Sequence, residues 1–174
     1  MSKKYLFVIC TALIFSTFFS LYGAKIAKAL SGVYIYANNG GYYRQYGPLA
    51  YWYTRNGEGY CGHLSSCSPA YMKYTYTAGC IGSTNSAVWD NIDSPQYGTH
   101  KIFVPRVNAT TRSAPYLITY NGASSYSRSL NQYAYSDAWI TTARLFDIRN
   151  TWLSDNTCEA GRYQIGFDEI QILY

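Results

Sequence analysis

Apolar and polar residues alternate in short runs along most of this chain, with a period of two rather than the helical 3.6. In the first half, Val33-Tyr34-Ile35-Tyr36, Leu49-Ala50-Tyr51-Trp52-Tyr53-Thr54 and Tyr71 to Thr77 predict strands. Turn clusters, Asn38-Asn39-Gly40-Gly41 and Asn56-Gly57-Glu58-Gly59, stand between them. Ser83 to Ser86 reads as a loop. Further on, His100 to Val107 predicts a strand in which Pro105 implies an edge or a bulge. Pro115 to Tyr120 predicts the next. Asn121-Gly122 follows it as a hairpin turn, with Ser127 to Gln132 as the return strand. Trp139 to Thr141, Ala143 to Phe146 and Asn150 to Ser154 complete the series. No long stretch repeats apolar residues at helical spacing, so the expectation is an all-β domain.

The closing segment, Tyr163 to Leu173, changes that picture in one place. Ile165 and Phe167 share one face, while Ile170 and Ile172 have the opposite parity. The alternation flips at Asp168-Glu169, which predicts a bulge or local twist there. Two carboxylates at such a break fit an ion or ligand site, or a pair of solvated rim residues.

The opening segment follows a different rule. Lys3 and Lys4 precede an apolar run from Tyr5 to Leu21, and Ala27-Lys28-Ala29 supplies small–any–small spacing. This is the layout of a cleaved secretory signal, with residues 1–29 as a helical signal peptide and Leu30 as the first residue of a single secreted domain, 30–174. The apolar run falls just short of the roughly 20 residues a membrane span needs. Cys10 lies inside it without the small residues that precede a lipidated cysteine.

Cleavage alters the charge argument. The whole chain has 14 Lys+Arg and 9 Asp+Glu, a formal +5. Lys3, Lys4, Lys25 and Lys28 leave with the signal, so ten bases face nine acids and the net charge falls to +1. That excludes a nucleic-acid surface read from basicity. Of the 21 tyrosines, 19 lie after residue 29, a composition suited to half-buried pleated surfaces. Four cysteines remain: Cys61, Cys67, Cys80 and Cys158. An even set in an exported domain reads as two disulfides with three possible connectivities. Cys61–Cys67 with Cys80–Cys158 is the preferred pairing, the longer loop contributing more. Zinc is the rival reading, but the spacings match no common zinc pattern and only His63 and His100 are left to join them.

Two segments resemble a known family. Tyr97-Gly98-Thr99-His100-Lys101-Ile102-Phe103-Val104-Pro105 and Ala114-Pro115-Tyr116-Leu117-Ile118-Thr119-Tyr120-Asn121-Gly122 look like paired strands of a carbohydrate-binding jelly roll. Leu130-Asn131-Gln132, Trp139 and Arg144-Leu145-Phe146 occupy the places of its next strands, and Ile165 to Ile170 resembles its final one. Over about residues 89–174 the chain is similar to the golvesin and xanthan-lyase C-terminal domain. The resemblance implies an antiparallel jelly-roll-like β-sandwich that serves as an accessory module of exported bacterial proteins. It carries no set of ligand residues.

Candidate chemistry is that of binding. Aromatic rings pack against the C–H faces of sugars while Arg, Asn, Asp and Tyr tips meet the hydroxyls. The densest cluster surrounds the predicted hairpin: Tyr120, Asn121, Tyr126, Arg128, Asn131, Tyr133, Tyr135, Asp137 and Trp139. A second comprises Tyr51, Trp52, Tyr53 and Arg55. Strand tyrosines also pack in cores and cross-strand pairs without binding anything, and Trp89, Trp139 and Trp152 suit a sandwich core. Asn108-Ala109-Thr110 is a glycosylation sequon that would matter only in a eukaryotic pathway. No nucleophile, metal or paired-carboxylate motif groups the acids and histidines. The leading expectation is therefore a secreted, extracellular or cell-surface module for polysaccharide or cell-wall glycan. It needs no cofactor and, once cleaved, no membrane; a structural calcium ion would have to bind without a recognisable motif. A self-assembling surface subunit is the main alternative, since lysines rarely blunt its strands. A small hydrolase or lyase is the third.

Overall fold

A computed structural model describes residues 32–38, 41–80, 82–91 and 94–174. The expected signal peptide and its cleavage site lie outside the described residues, as does Asp93. Among the described residues, twelve strands form three antiparallel sheets. The first sheet orders β1 (Val33–Tyr36), β12 (Ile170–Leu173), β6 (Tyr97–Val104) and β9 (Ala138–Phe146) side by side. The second runs β2 (Tyr43–Tyr46), β5 (Ser86–Asp90), β10 (Ile148–Ser154), β7 (Ala114–Tyr120), β8 (Ser124–Leu130). The third is small: β11 (Gln164–Phe167), β4 (Tyr71–Tyr76), β3 (Tyr53–Asn56).

Alternation explains the layering. In β10, Thr151 and Leu153 are buried while Trp152 and Ser154 turn outward. Ala87, Trp89, Tyr116, Ile118 and Leu153 of the five-stranded sheet form one core with Ile102, Val104, Ile170 and Ile172 of the first sheet. Ile165 and Phe167 of the third sheet join the same core, Phe167 lying parallel to Trp89 at 6.5 Å. The result is the expected all-β antiparallel sandwich, five strands facing the other two sheets.

Several local expectations change. The chain from Leu49 is not one strand; Leu49–Tyr51 form a 3-10 turn after Pro48, and β3 starts at Tyr53. Pro105 marks neither an edge nor a bulge. It follows the last residue of β6, a strand paired on both sides, so no ladder donor is lost. The Asn121-Gly122 hairpin forms with three turn residues, since Tyr120 pairs with Ser124, and both Asn121 and Gly122 take left-handed φ. Trp139 to Phe146 belongs to one continuous strand.

The flip at Asp168-Glu169 is larger than a bulge. β11 pairs with β4 and β12 with β6, so the chain passes from one sheet to another across these two residues. The parity reversal keeps Phe167 and Ile170 both facing the core despite that transfer.

Candidate functional site

Three tyrosines stand together on the outer face of the small sheet. Register places Tyr53 opposite Tyr74, and period two puts Tyr76 on the same face. Tyr53 and Tyr74 stack at 5.1 Å, and Tyr76 meets Tyr53 edge-on at 5.5 Å. The Arg162 guanidinium lies 3.8 Å above the centre of the Tyr76 ring. Beside them opens a cleft of about 230 Å³ lined by Tyr51, Tyr53, Tyr76, Thr84, Asp155 and Arg162.

The far wall of this cleft is held from several directions. Thr77 N–H donates to Tyr163 O at 2.9 Å, Ala78 N–H to Asp155 O at 2.7 Å, and Asp155 N–H to Asn85 O at 2.9 Å. Cys80 is bridged to Cys158, which cross-links the two loops, and Cys61 to Cys67, as the preferred pairing had it. The Asp155 carboxylate accepts from Thr84 N at 2.9 Å, Asn85 N at 2.8 Å and Ser83 Oγ at 3.0 Å. Burial pushes its carboxyl up, and those donors hold it down. Asp155 therefore organises the wall, and Arg162 is the cleft's unspent charge: no carboxylate among the described residues pairs with it.

The nine hairpin residues do not form one site. Tyr120 and Asn121 sit at the β7–β8 turn. Tyr126 and Arg128 face inward from β8, and Arg128 Nη1 donates to Thr142 O at 3.0 Å. Asn131 is exposed, and Tyr133, 62% exposed, carries the Arg112 guanidinium over its ring at 5.4 Å. Tyr135 is also exposed. Asp137 and Trp139 join residues that the sequence did not place beside them. Arg106 donates bidentately to Glu58 at 2.9 and 3.1 Å and to His63 Nε2 at 2.9 Å. Asp137 accepts from Arg106 N at 3.1 Å and lies 3.3 Å from His63. Next to this network, Tyr60, Phe103 and Trp139 make a three-ring cluster with centroids 5.0 to 5.4 Å apart. Of the second cluster, Tyr51 and Tyr53 reach the cleft, Arg55 is exposed nearby on β3, and Trp52 turns onto Phe167 at 4.7 Å. Period two alone could have found Tyr74 and Tyr76; nothing in the sequence pointed to Arg162.

Asp168 and Glu169 are not rim residues. They are 4% and 0% exposed. Asp168 Oδ2 accepts from Tyr60 N at 3.3 Å, while among the described residues no donor partners Asp168 Oδ1 or either Glu169 carboxylate oxygen. Burial, reinforced by the neighbouring Glu169, drives the Asp168 carboxyl well above its usual range, and burial also raises Glu169. Asn38 donates to Phe167 O one residue earlier, and its own Oδ1 has no partner among the described residues. Two adjoining carboxylates offer the oxygen donors that a hard cation such as calcium takes, while the described residues hold no group of three metal-binding side chains. Without an ion, the physics leaves protonation as the way to bury the pair.

His100 is a third buried polar group and serves the core. Its Nδ1 meets Thr142 Oγ1 at 2.6 Å and its Nε2 meets Thr151 Oγ1 at 2.8 Å, joining β9 to β10 across the sandwich. Burial lowers its pKa to about 3, so the ring is neutral.

With this geometry in view, the fold has solved counterparts. One is in the xanthan lyase of Paenibacillus, with 14% identity and a TM-score of 0.57 over 84% of this chain and 13% of that one. The chain is similar in fold to a domain of xanthan lyase. The match takes in more than the segment 89–174, so part of the half that carries Cys61, Cys67 and Cys80 shares it. A family 35 carbohydrate-binding module from Clostridium thermocellum is also similar, at 17% identity and a TM-score of 0.45, covering 81% of this chain and 98% of the module. No family model and no curated protein matches the chain. The chain spans about an eighth of the xanthan lyase it resembles. Among the described residues, no helix is long and apolar enough to cross a membrane.

Proposed function

We propose that this chain is a secreted, non-catalytic domain that binds polysaccharide through the tyrosine cleft. The carrying observation is the wall of Tyr53, Tyr74 and Tyr76 with Arg162 fixed on its edge, beside a cleft whose far side is cross-linked. Ring faces suit the C–H face of a pyranose, and Arg162 with Thr84 offers donors to its hydroxyls. Little has to be ordered on binding, which favours affinity from a small contact. A xanthan lyase and a carbohydrate-binding module among the similar folds agree with this reading. So do two disulfides, which persist in oxidising compartments.

Retention on insoluble cellulose, xylan, chitin, β-1,3-glucan and peptidoglycan, and in xanthan-loaded gels, tests it. Tyr53→Ala and Tyr76→Ala should each abolish retention, whereas Tyr133→Ala with Tyr135→Ala should leave it intact. The reverse pattern would move the site to the hairpin, and retention of none of these glycans would end the reading. Assembly is the second reading because β1 lies at a sheet edge with Val33 and Ile35 59% and 40% exposed. Size-exclusion chromatography across concentration separates the two.

A further inference from the structure

The cleft adjoins a second, larger depression. On the outer face of the five-stranded sheet, Trp152, Leu117, Ser127 and Ser129 line an open groove of about 570 Å³. Alternation puts them there. Trp152 stands opposite Leu117, and Leu117 opposite Ser127, in adjacent ladders. Trp152 lies parallel to Tyr46 at 5.7 Å, and its indole N–H is held by Asn150 Oδ1 at 2.9 Å, so the ring has a set orientation. Charges nearby are spent: Arg44 pairs with Asp90 at 2.6 Å, and Arg128 donates to backbone carbonyls. The groove therefore offers one fixed aromatic ring and a row of hydroxyls, which suits an uncharged sugar stretch.

Cleft and groove meet at one corner. Thr84 and Asp155 line the cleft, while their chain neighbours Ser83 and Ser154 line the groove. Trp152 is three residues from Asp155, roughly 10 Å at strand rise. The corner is rigid, because Asp155 accepts from Ser83, Thr84 and Asn85 together.

We infer that cleft and groove are two ends of one track holding an internal stretch of a linear polysaccharide, from Tyr53 and Tyr76 across the Ser83–Ser86 corner to Trp152. This rests on the glycan reading above and adds the form of the ligand: a long chain bound along its length. Linking two weak contacts through one ligand makes the second contact intramolecular, so affinity grows with chain length without any new group.

The test is calorimetric titration with oligosaccharides of two, four, six and eight residues cut from the glycan retained best. Affinity should rise by at least about tenfold from two residues to eight. Trp152→Ala should remove that gain while leaving the two-residue affinity unchanged, and Tyr53→Ala should weaken every length. Because Trp152 packs on Tyr46, Ser127→Glu repeats the test at an exposed position without disturbing packing. Equal affinity for two and eight residues, or a length dependence untouched by both groove variants, overturns the track and leaves glycan binding standing. Failure to retain any glycan instead overturns the reading on which it rests.

Discussion

Acid should unfold this protein partly through His100. The ring is fully buried between Thr142 and Thr151, and burial lowers its pKa from 6.5 to about 3. In the unfolded chain the imidazole takes a proton as pH falls through 6.5, whereas in the folded chain it stays neutral. The stability tied to the neutral ring is therefore complete above pH 6.5 and is lost progressively as pH falls toward 3. The slope is about 1.4 kcal/mol per pH unit, so roughly 2 to 3 kcal/mol should go between pH 6.5 and 4.5. Raised carboxyls at Asp168 and Glu169 act in the opposite sense over the same range, so the wild-type slope alone is ambiguous. Urea titrations of wild type and His100→Leu at pH 6.5, 5.5 and 4.5 cancel that contribution. The variant is less stable, since both ring hydrogen bonds are lost and Thr142 keeps only its bond to the residue 100 carbonyl, but its deficit should shrink as pH falls. A constant deficit, or a His100 Hε1 resonance that titrates near pH 6.5 in the folded protein, would refute the reasoning.

The Asp168–Glu169 pair predicts a metal-dependent pH profile. In chelator, stability should fall as pH rises from 5 toward 8, since folded pKa values above the unfolded ones favour low pH; Glu169→Gln should flatten that slope, and millimolar calcium should restore stability at pH 8 in wild type alone by calorimetry. Gly59 has φ +82°, and a Cβ there would sit 2.5 Å from the Asp168 carboxylate. Gly59→Ala should cost about 2 kcal/mol or more by urea midpoint. Opening the Cys80–Cys158 bridge, whose ends are 78 positions apart, should cost about 4.5 kcal/mol, against about 2 kcal/mol for Cys61–Cys67, six positions apart, measured on the paired serine variants. Equal losses would show that native-state contacts, not loop closure, set the difference.

Much of the fold was legible because strand alternation is local. Tyr71 to Tyr76 and Pro115 to Tyr120 could be read from six or seven residues each. The parity reversal at Asp168-Glu169 was also visible, but a bulge and a change of sheet leave the same trace in one strand. Only the partners of β11 and β12 distinguish them. Leu49–Tyr51 misled because aromatic content mimicked a strand where Pro48 and a tight turn decided the backbone.

The candidate site was less legible, for a geometric reason. Tyr53, Tyr76, Asp155 and Arg162 come from segments up to about a hundred residues apart, and no spacing rule links them. The hairpin tyrosines were neighbours in sequence, yet alternation sent Tyr126 inward while a 3-10 turn left Tyr133 exposed beneath Arg112.

By itself, the sequence determined the strand-forming character of the chain, the cysteines Cys61, Cys67, Cys80 and Cys158 from which the bridges form, and the break before Ile170. These follow from residue type and near-neighbour spacing. Tertiary structure decided which strands are neighbours, that Asp168 and Glu169 are buried rather than solvated, and that an aromatic cleft meets a serine-lined groove. Those outcomes depend on which faces close over one another, and burial is a property of the closed pair rather than of either strand.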